Sequence, residues 1–149
     1  MPDVNLPDSP FDLLIGTEWI DHNPDKAIAR LAMRDEHRQP MGIMHGGVMS
    51  SLVESLCSMA TARAVVPENR IAMGQSISTN LLRPVSEGGI EVEAKAIHRG
   101  RMTWVWRAEI RDFEGRTCAI SQMTMAIRDA PGEADLSFLV VEEPEEKKG

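Results

Sequence analysis

The sequence predicts an α+β domain in which an antiparallel β-sheet wraps around one long central helix. Three observations carry this. Residues 48–66 hold no proline or glycine and are apolar on most of their circumference, as in a helix covered on several sides. Residues 90–98, 102–112 and 117–128 read as strands divided by turn signals, which is the pattern of a meander. The 149 residues, 42% hydrophobic and 26% charged, suffice for one domain with one core.

Along the chain, residues 1–25 read as a lead-in with a short helix. Ser9 supplies a cap, Pro10 suits the first helical position, and Phe11, Leu13, Leu14 and Ile15 precede a closing Gly16. Residues 26–34 suit a strand, although their alanines also allow a helix. Pro40 and Gly42 make residues 35–44 a loop. His45-Gly46-Gly47 then opens the long helix, which ends before Pro67. Ser51, Glu54, Ser55, Ser58 and Thr61 recur on it at helical spacing as a polar stripe. Residues 71–82 read as a further strand. In residues 102–112, Met102, Trp104, Trp106, Ala108 and Ile110 alternate with more polar residues, so one face is expected to be buried. Trp104 and Trp106 therefore read as core or subunit interface rather than an aromatic cage. The acidic residues 129–149 are expected to form a mobile tail.

The net charge of −7 argues against a nucleic-acid partner, but it is unevenly spread. Residues 1–26 carry −5, residues 129–149 carry −5, and residues 27–128 carry +3. Cys57 and Cys118 lie in apolar surroundings without metal-ligand spacing, so reduced buried thiols and no metal site are expected. No apolar run reaches membrane-spanning length, and the N-terminus lacks the build of a signal peptide. A cytoplasmic protein without a membrane partner is the expectation.

Two features carry chemistry. Glu54 is a carboxylate in the middle of a largely apolar helix; it either faces solvent or a partner, or it is the displaced carboxylate that base or nucleophilic catalysis needs. Gly46 and Gly47 let a ligand approach the helix opening, where free N–H groups can stabilise an oxyanion. Glu54 lies about two turns beyond Gly47, so the acid and the donors are expected to face one cavity.

The segment Gln39-Pro-Met-Gly-Ile-Met-His45-Gly-Gly-Val-Met-Ser-Ser-Leu-Val-Glu54-Ser-Leu-Cys-Ser58 resembles the signature of hotdog-fold acyl-CoA thioesterases. The similarity is to the phenylacetate-degradation and 4-hydroxybenzoyl-CoA types. Ser78-Thr-Asn80-Leu-Leu-Arg83-Pro84, His98-Arg99-Gly100-Arg101 and Asp112 to Gly115 follow in the same order, and the resemblance covers roughly residues 26–128. It implies a hotdog domain over 26–128 and hydrolysis of an acyl-CoA to a carboxylic acid and CoA. Glu54 falls at the catalytic acid, as nucleophile or general base. Gly46 and Gly47 fall at the oxyanion-binding helix opening. Gln39 falls at a residue that orients the water or carboxylate, and Ser58 at one that assists the acid. His45 suits a structural role in its loop, or contact with substrate. Asn80, Arg83, Arg99, Gly100 and Arg101 are the candidates for binding coenzyme A; arginine suits phosphate through its planar fork of donors. No cofactor is implied beyond the CoA of the substrate. The resemblance also implies a site built between two protomers, in a homodimer or a dimer-of-dimers tetramer. A hotdog hydratase or dehydratase and a non-catalytic acyl-CoA binder are the alternatives.

Overall fold

The computed structural model describes residues 6–132 and residue 136. A short helix α1 (Pro10–Ile15) is capped by the Ser9 hydroxyl, which accepts from the Asp12 N–H, and is ended by Gly16 in the left-handed region at φ 79°. This is the element its cap residues predict. It is followed by β1 (Glu18–His22), a strand inside the stretch expected to be lead-in, so the sheet begins ahead of residue 26. Then come β2 (Lys26–Ala32), a 3-10 turn at Asp35–His37, the long helix α2 (Gly46–Val65), a 3-10 turn at Val66–Glu68, β3 (Arg70–Leu81), β4 (Gly89–Arg99), β5 (Thr103–Asp112) and β6 (Thr117–Asp129).

The six strands form one antiparallel sheet in the order β1-β2-β4-β5-β6-β3. The meander expected of the last three strands is present as β4-β5-β6. β3 is displaced to the far edge and pairs with β6 from Arg70↔Asp129 to Leu81↔Ala119. Its other edge has no strand beside it among the described residues.

The concave face of the sheet holds α2. Leu52, Val53, Leu56, Cys57 and Ala60 are fully buried against Ala29 and Leu31 of β2, Val92 of β4, Ile110 of β5 and Met125 of β6, within one core. Each fully buried leucine contributes about 1.5–3 kcal/mol by leaving water. The alternation in β5 holds for Trp104, Trp106, Ala108 and Ile110, all buried. Met102 is the exception: it precedes the strand and is exposed. Cys57 and Cys118 are free and buried, and burial pushes both thiols up from their ordinary range. This is the sheet-around-helix arrangement that the hotdog resemblance implied. The acidic tail expected over 129–149 falls largely outside the described residues.

Candidate active site

The loop before α2 is fixed by main-chain hydrogen bonds. The Gln39 N–H donates to the Ile43 carbonyl at 2.9 Å, the Met44 N–H to Val85 at 2.7 Å and the His45 N–H to His37 at 2.8 Å. His45 is the N-cap of α2: its Nδ1 accepts from the Gly47 N–H at 2.9 Å. That bond gives His45 a structural part in its loop and separates the two glycine N–H groups. The Gly47 N–H is taken by the cap, whereas the Gly46 N–H has no acceptor among the described residues. The Gln39 side-chain oxygen accepts from the Met41 N–H within its own loop, so its amide NH2 is the group left to donate.

Glu54 lies on the stripe of α2 that the sheet leaves open, and it is exposed in the single chain. Of the two readings open for it, the one that faces solvent or a partner describes a single chain. Its carboxylate lies beside Gly74 of β3, where that strand carries a bulge between Gly74 and Ser76. A Cβ at Gly74 would sit 3.1 Å from Glu54 Oε1 and 2.8 Å from the Met123 methyl. Gly74 is thus the notch that admits the carboxylate, and the sequence reading missed it; only the two-residue break in strand alternation around it could have signalled it.

Beside Glu54 lies a cavity of about 480 Å³, lined also by Ser58, Met59 and Ala62 of α2, Ala72 of β3 and residues of the N-terminal segment. Among the described residues the Ser58 hydroxyl has a long contact to Met125 Sδ, 3.8 Å, and no bond to Glu54. Thr61 departs from the stripe it was read into. It is fully buried, donates to the Cys57 carbonyl at 2.7 Å and accepts from Trp106 Nε1 at 2.9 Å.

Gly46 does not line that cavity. It borders a separate one of about 310 Å³ with Met49, Leu81 and Arg83. Glu54 stands eight positions beyond Gly46 on the helix, about 12 Å along the axis. The expectation that acid and donor face one cavity fails within a single chain: a helix cannot bring residues that far apart onto one carbonyl.

The candidates for coenzyme A divide. Arg83 borders the Gly46 cavity and is exposed. Arg99 is committed to its own chain: it pairs with Asp25 at 2.5 Å, donates to the Pro24 carbonyl, and lies 4.7 Å from the Trp104 ring centre. Gly100 closes a tight turn, its N–H donating to the Thr103 carbonyl at 2.8 Å, and its open side is filled by His98 Nε2, where a Cβ would come within 2.8 Å. Arg101 is exposed, with its carbonyl accepting from Arg70. Asn80 borders a shallow depression with Arg107 and Gln122, away from Glu54. No group of side chains suited to a metal ion occurs among the described residues, and no helix of the described residues is long and apolar enough to cross a membrane.

Comparison with known proteins adds the family. The family model of the thioesterase superfamily matches residues 41–119. The 1,4-dihydroxy-2-naphthoyl-CoA hydrolase of Listeria monocytogenes is 33% identical over 114 residues, 76% of this chain and 92% of that protein. A curated protein of Pasteurella multocida is 39% identical over 89 residues, 60% of this chain and 63% of its own length, just under two thirds. The crystal structure of a thioesterase from Haemophilus influenzae superposes with a TM-score of 0.77 at 29% identity, covering 84% of this chain and 87% of that one.

Proposed function

The chain belongs to the thioesterase superfamily, and on that premise we propose that it hydrolyses an acyl-CoA to a carboxylic acid and CoA at a site shared by two copies. The observation that carries this is the separation of its parts. Among the described residues, Glu54, seated over Gly74 beside a cavity, has no oxyanion donor of its own chain within reach, and the unbonded Gly46 N–H has no acid beside it. A second copy related by a twofold axis supplies each half with its complement, because such an interface repeats every contact in both directions. The free edge of β3, twelve residues long and bearing unpaired main-chain groups, is the surface through which the copies would join.

In this reading the Gly46 N–H donates to the thioester carbonyl oxygen and stabilises the negative charge that develops as the carbon becomes tetrahedral, aided by the positive end of α2. Glu54 of the other copy acts in one of two ways. It takes a proton from water as the water oxygen bonds to the carbonyl carbon, or its own oxygen bonds there and water later opens the anhydride. On either route the C–S bond breaks, the CoA thiolate leaves and is protonated, and one water is consumed. The Gln39 amide NH2 suits a donor to the carboxylate or the water, Ser58 a polar neighbour, and Arg83 a partner for a CoA phosphate.

Thiol release from a panel of acyl-CoA esters tests the proposal. The native chain is expected to turn over at least one ester and Glu54→Ala none at a comparable rate. Equal release by both proteins would end the assignment. An acyl adduct on Glu54, trapped by rapid quench and seen by mass spectrometry, marks direct attack.

A further inference from the structure

The Glu54 cavity extends away from the acid along α2 to Ala62, a further eight residues or about 12 Å of helix. Its far end is apolar, with Met59 and Ala62 on the helix and Ala72 on β3. The opposite wall is the N-terminal segment, through Leu6, Pro7 and Phe11. Those residues lie outside both the segment that resembles the family and the residues its model matches.

That wall is fastened in place. The Trp19 indole N–H donates to Asp8 at 2.6 Å at one end. Within it, Asp12 is buried and accepts from the Ser9 hydroxyl at 2.5 Å and the Thr17 hydroxyl at 3.3 Å. At the other end Arg34 donates to the Leu14 carbonyl at 2.8 Å, and His37 Nε2 to the Ile15 carbonyl at 2.9 Å. His37 also passes its carbonyl to the His45 N–H, so the wall and the loop carrying Gly46 share one buried strut. The two charged residues among the described lining are both acids, Asp12 and Glu54.

We infer that residues 6–12 form the specificity wall of the acyl site, and that the group selected is an uncharged, apolar acyl group no longer than about two helical turns. The inference rests on the thioesterase reading of Glu54. Phe11 closes the side of the cavity and Ala62 sets its depth. Ala62 carries the smallest side chain that still packs, and a larger one would fill the space the end of the acyl group needs. Met59 between them adapts to a ring or a chain. A dicarboxylic acyl group meets two carboxylates and no cation, and is rejected.

The test is kcat/KM on acetyl-, octanoyl-, benzoyl- and succinyl-CoA for the native full-length chain, Phe11→Ala and Ala62→Leu. Octanoyl- and benzoyl-CoA are the chain and ring arms, and preference for either over acetyl-CoA supports the inference. The native chain should favour them over acetyl- and succinyl-CoA by about tenfold or more, the scale at which apolar pockets discriminate. Both variants should cut that preference about tenfold, mainly through KM. Phe11 is 48% exposed, so its truncation leaves the fold intact even if Ala62→Leu does not. An unchanged preference, an equal fall on every ester, or succinyl-CoA as the favoured substrate would overturn the inference while leaving hydrolysis in place. A native chain inert on all four esters would sink the hydrolysis reading itself, and the inference with it.

Discussion

The loop that carries Gln39 and Gly46 is held by hydrogen bonds, from main-chain groups and from the Arg38, Gln39 and His45 side chains, whereas the helix face that carries Glu54 is held by apolar packing. In the loop, Gln39, Met44 and His45 are tied through their N–H groups, and the group offered to a substrate is itself a main-chain N–H. On the helix, Leu52, Val53, Leu56 and Cys57 are sealed in the core, and the group offered is one carboxylate. The difference teaches where each half is vulnerable. Loop chemistry depends on one main-chain N–H and on the polar side chains that hold the loop around it. Helix chemistry hangs on one side chain and on the space left for it.

The largest expected effects test that contrast. Glu54→Ala should lower kcat by about 10²–10⁴-fold, the usual contribution of a positioned acid or base, with the circular dichroism spectrum unchanged. On the loop side the matching change is Gly46→Pro. Proline suits the first helical position, and His45 at φ −64° and ψ 129° already has the conformation that precedes a proline. Leu81, which a side chain at 46 would touch, is exposed and can swing aside. The substitution should cost about 10²–10³-fold in kcat, the value of one oxyanion donor. A variant that kept native turnover would remove Gly46 from the mechanism.

Next in size is Gly74→Ala. The added methyl presses on the Met123 methyl and on the Glu54 carboxylate, both free ends of flexible side chains that can shift, so the stability cost should stay at or below about 1 kcal/mol. Because the acid itself is displaced, kcat should also fall about tenfold or more at little change in KM. A loss of melting temperature alone would make Gly74 a packing residue only.

Thr61→Val addresses the helix without touching the site. It leaves the Trp106 indole N–H unpaired in the core, and the melting curve should report a loss of about 1–3 kcal/mol. Turnover per folded molecule should not change. The smallest effect concerns the thiols. Burial raises both cysteines, so neither Cys57 nor Cys118 should react with a thiol reagent at pH 8 until the chain unfolds. Rapid labelling of the native chain would contradict their burial.

The same contrast explains what was legible in the sequence. α2 shows as an apolar run without proline or internal glycine, β5 as alternation and the meander through its turn signals, whereas the alanines of β2 leave strand and helix both open. Glu54 stood out as a charge breaking an apolar helix, and Gly46 as part of a glycine pair at its start. Gly47 could not be told apart from Gly46, since the His45 cap that claims its N–H depends on a rotamer. Thr61 has the spacing of the polar stripe, yet at its level the helix is roofed by β5 and the hydroxyl answers Trp106; no local pattern encodes that meeting. β1, with the sequence Glu-Trp-Ile-Asp-His, lacks alternation because its pairing register shifts between Trp19 and Asp21. The pairing of Arg99 with Asp25 joins residues 74 positions apart and could be seen only after folding.

The central claim is that two copies share each site, the loop of one facing the acid of the other. Mixing two separately inactive variants tests it most directly. Glu54→Ala retains a sound loop and Gly46→Pro a sound acid. After unfolding and refolding together at equal concentration, half of the pairs are mixed and each holds one intact site. The mixture should recover roughly a quarter of native thiol release under twofold symmetry. A mixture as inactive as its components would place both halves of the site in one chain and contradict the account.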